Sequence, residues 1–323
     1  MDAAQILAEF AQFERLPVEA ICAADADRAF AVPLFLDTIE RYLAEGGDGA
    51  TQHALFFIFH MLGQWREKAA YRPLARLLRR PPQELDDILG YASTEYAHRV
   101  MAAVFDGNPQ PLYDVILDPE ADEFVRSGMC EAIAMVTAHG ELPREEAARF
   151  MRACYSALDP QGECWVWQGW QSAIALLGLA ELKPLVEQAF ARGFISPDWC
   201  RFKDFEEDLQ EGIDDTAGLL HRSRGDFTLF GDTIEEFSSR HWFSAEEKDE
   251  EIKGAARLQT PLAWGVPATN PWRDVGRNDP CPCGCERSAQ RVFYHCSTPN
   301  VESGGVSQRG ARSGQPALPG SIF

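Results

Sequence analysis

The sequence predicts an all-α fold, an α–α superhelix of HEAT-like type, followed by a small zinc-knuckle-like tail. Apolar residues recur at three- and four-residue steps through the middle of the chain, and no stretch sustains the period-2 alternation of a strand. Prolines also punctuate the helical region at a roughly constant interval. Residues 1 to 48 read as two or three helices, with AVPLFLDTIERYL the clearest, and would cap the amino-terminal end of the stack.

From Gln52 to Ile195 helical seams alternate with short breaks. Leu55, Ile58, Phe59 and Leu62 share one face of TQHALFFIFHMLGQW, and Val125, Met129, Ile133 and Val136 do the same in ADEFVRSGMCEAIAMV. Trp167, Trp170, Ile174 and Leu177 form the seam of CWVWQGWQSAIALLGL. Pro73, Pro111, Pro143 and Pro184 each stand where a second, shorter helix would begin, a position at which the missing N–H costs nothing. Their spacings are 38, 32 and 41 residues, about the size of a helix-turn-helix unit that buries its apolar face only by stacking on its neighbours. That spacing favours a solenoid over a closed bundle.

With 323 residues, 46% of them apolar, the chain can build a substantial core. Its net charge of −20 argues against nucleic-acid phosphates or anionic lipid as partners, since both need a basic face. The charge is uneven: from Trp272 onward six Lys/Arg stand against four Asp/Glu, so the preceding residues carry −22. The opening MDAAQILAEFAQFERLP lacks the apolar core of a secretion signal, and runs such as ALFFIF are too short to cross a bilayer. The expectation is a cytoplasmic protein with no membrane contact. Cys22, Cys130, Cys154, Cys164 and Cys200 are scattered singly, mostly in apolar company, and read as buried reduced thiols.

Beyond Pro197, RFKDFEEDLQEGIDD packs seven acids between Asp204 and Asp215, and AEEKDEEIK follows. Such runs are ordinarily a solvated face or a linker; the functional alternative is a docking surface for a basic partner. LQTPLAWGVPATNPW then reads as a linker into NDPCPCGCERSAQRVFYHC.

Phrases such as PLFLDTIERYL, AYRPLARLLRRPPQELDDILG, VFDGNP and ADEFVRSGMCEAI resemble an uncharacterised bacterial family of helical-repeat proteins, DUF1186, a domain of unknown function. The resemblance covers roughly residues 3 to 215, supports the fold and implies no activity. The words VGRNDPCPCG look like the start of a SEC-C motif, the zinc-binding element at the carboxyl terminus of the SecA translocation motor. Cys281 and Cys283 match its first ligand pair, but the positions where the resemblance places the second pair, Val292 and Phe293, hold no ligands.

Two readings stand. In one, a three-residue insertion moves the closing pair to His295 and Cys296, with Cys285 as an alternative ligand, and the tetrahedral shell that zinc prefers is complete. In the other the motif is lost after Gly284, and with it the zinc. The tail STPNVESGGVSQRGARSGQPALPGSIF, which drops both acidity and helical patterning, fits that second reading. The expected organisation is an α-helical repeat domain over 1–215, an acidic linker over 216–271, a degenerate SEC-C motif over 272–297 and a disordered tail over 298–323.

Catalytic templates are absent from the sequence: no phosphate loop, no G-x-S-x-G elbow, no H-E-x-x-H helix, no Rossmann glycines. His53 and His60 lie seven residues apart on one helix face, a spacing open to a metal pair, although packing histidines are the plainer account. His98, His139, His221 and His241 stand alone. Trp167 and Trp170 belong to a core seam, whereas Trp165 falls off it and is the candidate partner-binding anchor in a concave groove. The expected function is therefore a non-catalytic protein-interaction module or adaptor with a structural zinc ion in its tail. The alternative is a hydrolase or metal-dependent enzyme with its site in the solenoid groove.

Overall fold

The apolar seams predicted from the sequence become the stacked faces of paired helices. A computed structural model of the chain describes residues 1–13, 15–214 and 227–238, all within one unit, Met1–Ala256. Among these residues there is no strand. The helices are α1 (Ala3–Phe10), α2 (Val18–Ala26), α3 (Arg28–Glu45), α4 (Gly49–Gln64), α5 (Tyr71–Leu77), α6 (Pro82–Leu89), α7 (Ala92–Glu95) and α8 (Ala97–Ala103). They continue with α9 (Gln110–Leu117), α10 (Glu123–Ala138), α11 (Arg144–Ala157), α12 (Val166–Leu176), α13 (Lys183–Ala191), α14 (Phe202–Asp214) and α15 (Thr233–Ser238).

Two rows result. Helices α4, α8, α10, α12 and α14 pack each on the next as an inner row, while α3, α5 and α9 pack in succession outside it. This arrangement is consistent with the α-solenoid expectation. Polar contacts between neighbouring units carry the same period. Arg76 pairs with Glu40, Arg72 Nε donates to Asp106 at 3.2 Å, Arg79 Nε donates to Asp118 at 2.7 Å, and Arg126 Nη2 donates to the Asp159 carbonyl at 2.7 Å. Their separations are 36, 34, 39 and 33 residues, each about the length of one helix pair. The three arginine–carboxylate pairs, whose arginines are exposed, contribute about 0–1 kcal/mol each, whereas Arg126 is buried and bonds a backbone carbonyl.

The apolar seams hold the stack together. All twelve predicted seam residues, from Leu55 to Leu177, are buried. The inner helices approach closely where glycine removes a side chain. A Cβ on Gly169 of α12 would lie 2.3 Å from the Ser127 carbonyl oxygen of α10, and one on Gly212 of α14 would lie 2.0 Å from that of Ala175. Aspartates fix the inner helices' starts: Asp48 accepts from Thr51 N at 3.0 Å at α4, and Asp122 accepts from Phe124 N and Val125 N at 2.9 and 3.1 Å at α10.

The prolines sit near helix starts as expected. Pro111 and Pro184 lie in the first turns of α9 and α13, Pro143 is the N-cap of α11, and Pro73 is the third residue of α5. Two local expectations are refined. Of the two ordinary readings of RFKDFEEDLQEGID, a solvated face or a linker, the structure gives the first: it is the last inner helix, α14, with Phe205 and Leu209 buried on α12 and its acids facing out. Of the five body cysteines four are buried, but Cys22 is exposed, because α2 turns Ala20, Ile21 and Ala24 inward and leaves Cys22 on the other face.

Residues 227–238, within the region read as an acidic linker, return to the amino-terminal half of the stack. Their helix α15 packs on α2 and α4, and the segment before it lies against α8. Among the described residues no helix is long and apolar enough to cross a membrane.

Candidate functional site

Three places on the described surface carry chemistry beyond packing. The first lies where the returning segment meets the inner row. The Arg99 side chain, on α8, is 8% exposed, and its guanidinium is engaged on all sides. Nε donates to the Thr228 carbonyl at 2.8 Å, Nη2 to Thr228 Oγ1 at 3.1 Å, and Nη1 and Nη2 take Glu236 as a fork at 3.0 and 2.5 Å. The paired geometry is the strong form of an arginine–carboxylate contact. Phe230 N donates to the Arg99 carbonyl at 3.4 Å and Thr233 N to Gln64 Oε1 at 2.8 Å.

Beneath this clamp His60 is fully buried among Phe56, Tyr96, Phe230 and Phe237, with ring centroids 4.6 to 5.7 Å away. Its Nδ1 lies 2.6 Å from the Phe56 carbonyl, one turn back on α4. A carbonyl only accepts, so Nδ1 carries the proton and the neutral ring leaves Nε2 as a bare acceptor. Nε2 is buried without a hydrogen-bond partner. Burial pushes the His60 pKa down to about 3; the Phe56 bond opposes that shift and the nearby Arg99 charge adds to it.

The second place is an aromatic edge on the carboxyl-terminal half. Trp165 caps the start of α12 and packs on Phe124, the second residue of α10, at 5.1 Å, and on Trp199, just before α14, at 4.6 Å. Phe124 is 41% exposed, and the two tryptophans are half-buried. Glu123 fixes this edge, accepting from Trp165 N at 2.7 Å and from the Cys164 thiol at 3.2 Å. Exposed Glu163 and Asp198 stand beside the tryptophans in sequence. The result is a row of rings with acidic residues next to it in the sequence. Trp167 and Trp170 are fully buried, their indoles donating to the Pro160 and Met151 carbonyls at 3.0 and 2.7 Å. Trp167 and Trp170 thus belong to the core, as their seam predicts, and Trp165 is only half-buried. The sequence does not single out Phe124 and Trp199; their signal is spacing, since each lies about one repeat from Trp165.

The third place is a cleft of about 270 Å³ between α4 and α6, lined by Phe13, His53, Asp86, Asp87 and Tyr91 among others. His53 Nδ1 lies 3.1 Å from the Ala11 carbonyl and its ring stacks on Phe13 at 5.1 Å. His53 and His60, although seven residues apart on α4, therefore serve different neighbourhoods and do not form a pair. His139 Nδ1 bonds the Met135 carbonyl at 2.8 Å, and His98 lies against Phe227. Among the described residues no group of three or more His, Cys, Asp or Glu side chains is placed to hold a metal. The thiols are quenched rather than activated: burial raises Cys130, Cys154 and Cys164, and lifts Cys200 to about 11.

Cys281, Cys283, Cys285, His295 and Cys296 lie outside the described residues, as do His221 and His241. The described residues form an all-helical structure consistent with an α-solenoid. Residues 1–244 match the model of the family described as Protein of unknown function (DUF1186), and the chain belongs to that family. The match extends through the returning segment, beyond the last inner helix. No curated protein and no solved structure matches the chain.

Proposed function

We propose that the chain is a non-catalytic protein-interaction module, an adaptor built on an α-solenoid, with a SEC-C-like tail holding a structural zinc ion through Cys281, Cys283, His295 and Cys296. The observation that carries this reading is the aromatic edge of Phe124, Trp165 and Trp199. Partly exposed tryptophans seated on rigid helix starts are the side chains that dominate protein interfaces. The acidic residues next to it in the sequence, on a body of net charge −22, select a basic segment bearing apolar residues, whose cations would lie over the indole faces. The shifted thiols and His60 are moved by burial in the directions that silence nucleophiles and deny His60 a proton to exchange, which favours an adaptor over the hydrolase or metal-dependent enzyme.

A synthetic peptide alternating arginine and leucine, titrated into the full-length protein, tests the edge by calorimetry and tryptophan fluorescence. Trp165→Ala is expected to weaken binding by about tenfold or more, in keeping with a central aromatic anchor, without lowering helicity. Equal affinity for the variant and the parent, or no binding to either, overturns the reading.

A further inference from the structure

Residues 227–238, FTLFGDTIEEFS, are seated on the inner row with the chemistry of a bound peptide. A buried arginine reads one carboxylate through both of its oxygens, Glu236. Two phenylalanines anchor the segment, Phe230 and Phe237, 2% and 0% exposed, each packed against His60 and Tyr96. Main-chain bonds at Phe230 N and Thr233 N fix the register between them. The partners Gln64 and Arg99 are 169 and 137 residues away from Thr233 and Glu236, so the contact is made from a distance along the chain, as a separate peptide would make it.

The seam is also incompletely satisfied. His60 Nε2 and Thr233 Oγ1 are both buried there without a hydrogen-bond partner. Such orphaned groups weaken the docked state relative to one in which they are paired. With Nδ1 committed to the Phe56 carbonyl on its own helix, Nε2 occupies the other edge of the ring, among Tyr96, Phe230 and Phe237, where an incoming donor could meet it.

We propose that His60, Gln64, Tyr96 and Arg99 form a recognition site for an acidic, phenylalanine-bearing segment of a partner protein, and that residues 227–238 occupy it as an internal competitor. The partner segment carries a glutamate for Arg99, two aromatic anchors at the spacing of Phe230 and Phe237, and a hydroxyl or amide donor for His60 Nε2. This site lies on the amino-terminal half and reads the opposite charge from the aromatic edge, so the two proposals stand or fall separately. An internal ligand lowers the apparent affinity of any outside one by the fraction of time the site is open.

The probe is a fluorescently labelled synthetic peptide of residues 227–238, added to the full-length chain and read by anisotropy. Glu236→Gln in the chain, which loosens the internal copy and leaves the Arg99 site intact, is expected to raise peptide affinity about tenfold. The same Glu→Gln change in the peptide is expected to lower it by a similar factor. A folded Glu236→Gln chain, shown by unchanged circular dichroism, that takes up no peptide overturns the proposal. Hydrogen exchange on the parent protein gives a second reading that needs no variant. If the amides of Phe230 and Thr233 exchange by local opening, well before those of α10, the segment is displaceable; if they exchange only with global unfolding, it is a fixed part of the fold and the proposal fails. Light scattering that shows Glu236→Gln associating into a dimer would assign the site to a second copy of the chain and equally overturn a separate partner.

Discussion

His60 is a titratable ring in a place that admits no charge. Its pKa is pushed from the ordinary 6.5 to about 3, chiefly by burial, so the folded state refuses a proton that the unfolded chain accepts. Between those two values the unfolded state binds more protons, and stability is lost as pH falls from neutrality toward 3. For one ring shifted this far the loss between pH 7 and pH 5 is about 2 kcal/mol, above the range where the carboxylates themselves titrate. Replacing His60 by Phe keeps an aromatic ring among Phe56, Tyr96, Phe230 and Phe237 and removes the titration. Urea unfolding at pH 7 and pH 5 should then show the parent losing about 2 kcal/mol more than His60→Phe over that interval. Parallel pH slopes for the two proteins would show that the ring is not buried in solution. The same residue shows a limit of sequence reading. His60 was legible as a packing histidine from the apolar run around it, but its dependence on Phe230 and Phe237 was not, since those partners come from a segment far along the chain, inside the stretch read as an acidic linker.

At the scale of elements, the inner row depends on how closely its helices cross. At Gly169 the backbone of α12 meets the backbone of α10, which cannot swing aside as a side-chain tip would: an added Cβ falls 2.3 Å from the Ser127 carbonyl oxygen and 2.5 Å from its Cα. Gly169→Ala must therefore push the two helices apart, and overpacking of this kind costs about 1–3 kcal/mol. Thermal unfolding should show a fall in Tm, while Gly162→Ala, where nothing lies within 4 Å of the new carbon, should leave it nearly unchanged. Equal effects at both positions would mean that the α10–α12 crossing is looser than described. The apolar seams and the proline register made the paired helices and their order legible, because periodicity within a helix is written locally. What was not legible is the close crossing. Gly169 reads in sequence as a weak spot in WVWQGWQ, and only its opposite, Ser127 in the preceding unit, gives it a purpose. The acidic run of α14 reads by composition as a solvated face or a linker, and the structure gives the solvated face. Six acids dominate the helix, yet Phe205 and Leu209, four residues apart, are what dock it.

On the scale of the whole molecule, the chain divides by charge at about Trp272: −22 before it, slightly positive after it. The acids of α14 lie on a solvated face of that acidic body, and the proposed partner of the aromatic edge is basic for the same reason of charge. Beyond Trp272 the residues proposed to act are metal ligands rather than packing side chains. Cys281-Pro282-Cys283 places two thiols two residues apart in the sequence, and on the proposed reading so short a segment depends on the ion for its fold. If Cys281, Cys283, His295 and Cys296 are the donors, zinc binding releases protons and weakens as pH falls. Metal analysis of purified protein separates the two readings of the tail. Full-length chain should retain about one zinc ion per molecule, a truncation after Trp272 should retain none, and the double change His295→Ala with Cys296→Ala should lower retention if those residues close the shell. Retention unchanged by the double change but lost on Cys285→Ala would move the third ligand to Cys285. Equal metal content in the full chain and the truncation would remove zinc from the tail altogether and leave the helical body and its two surfaces as the whole of the function.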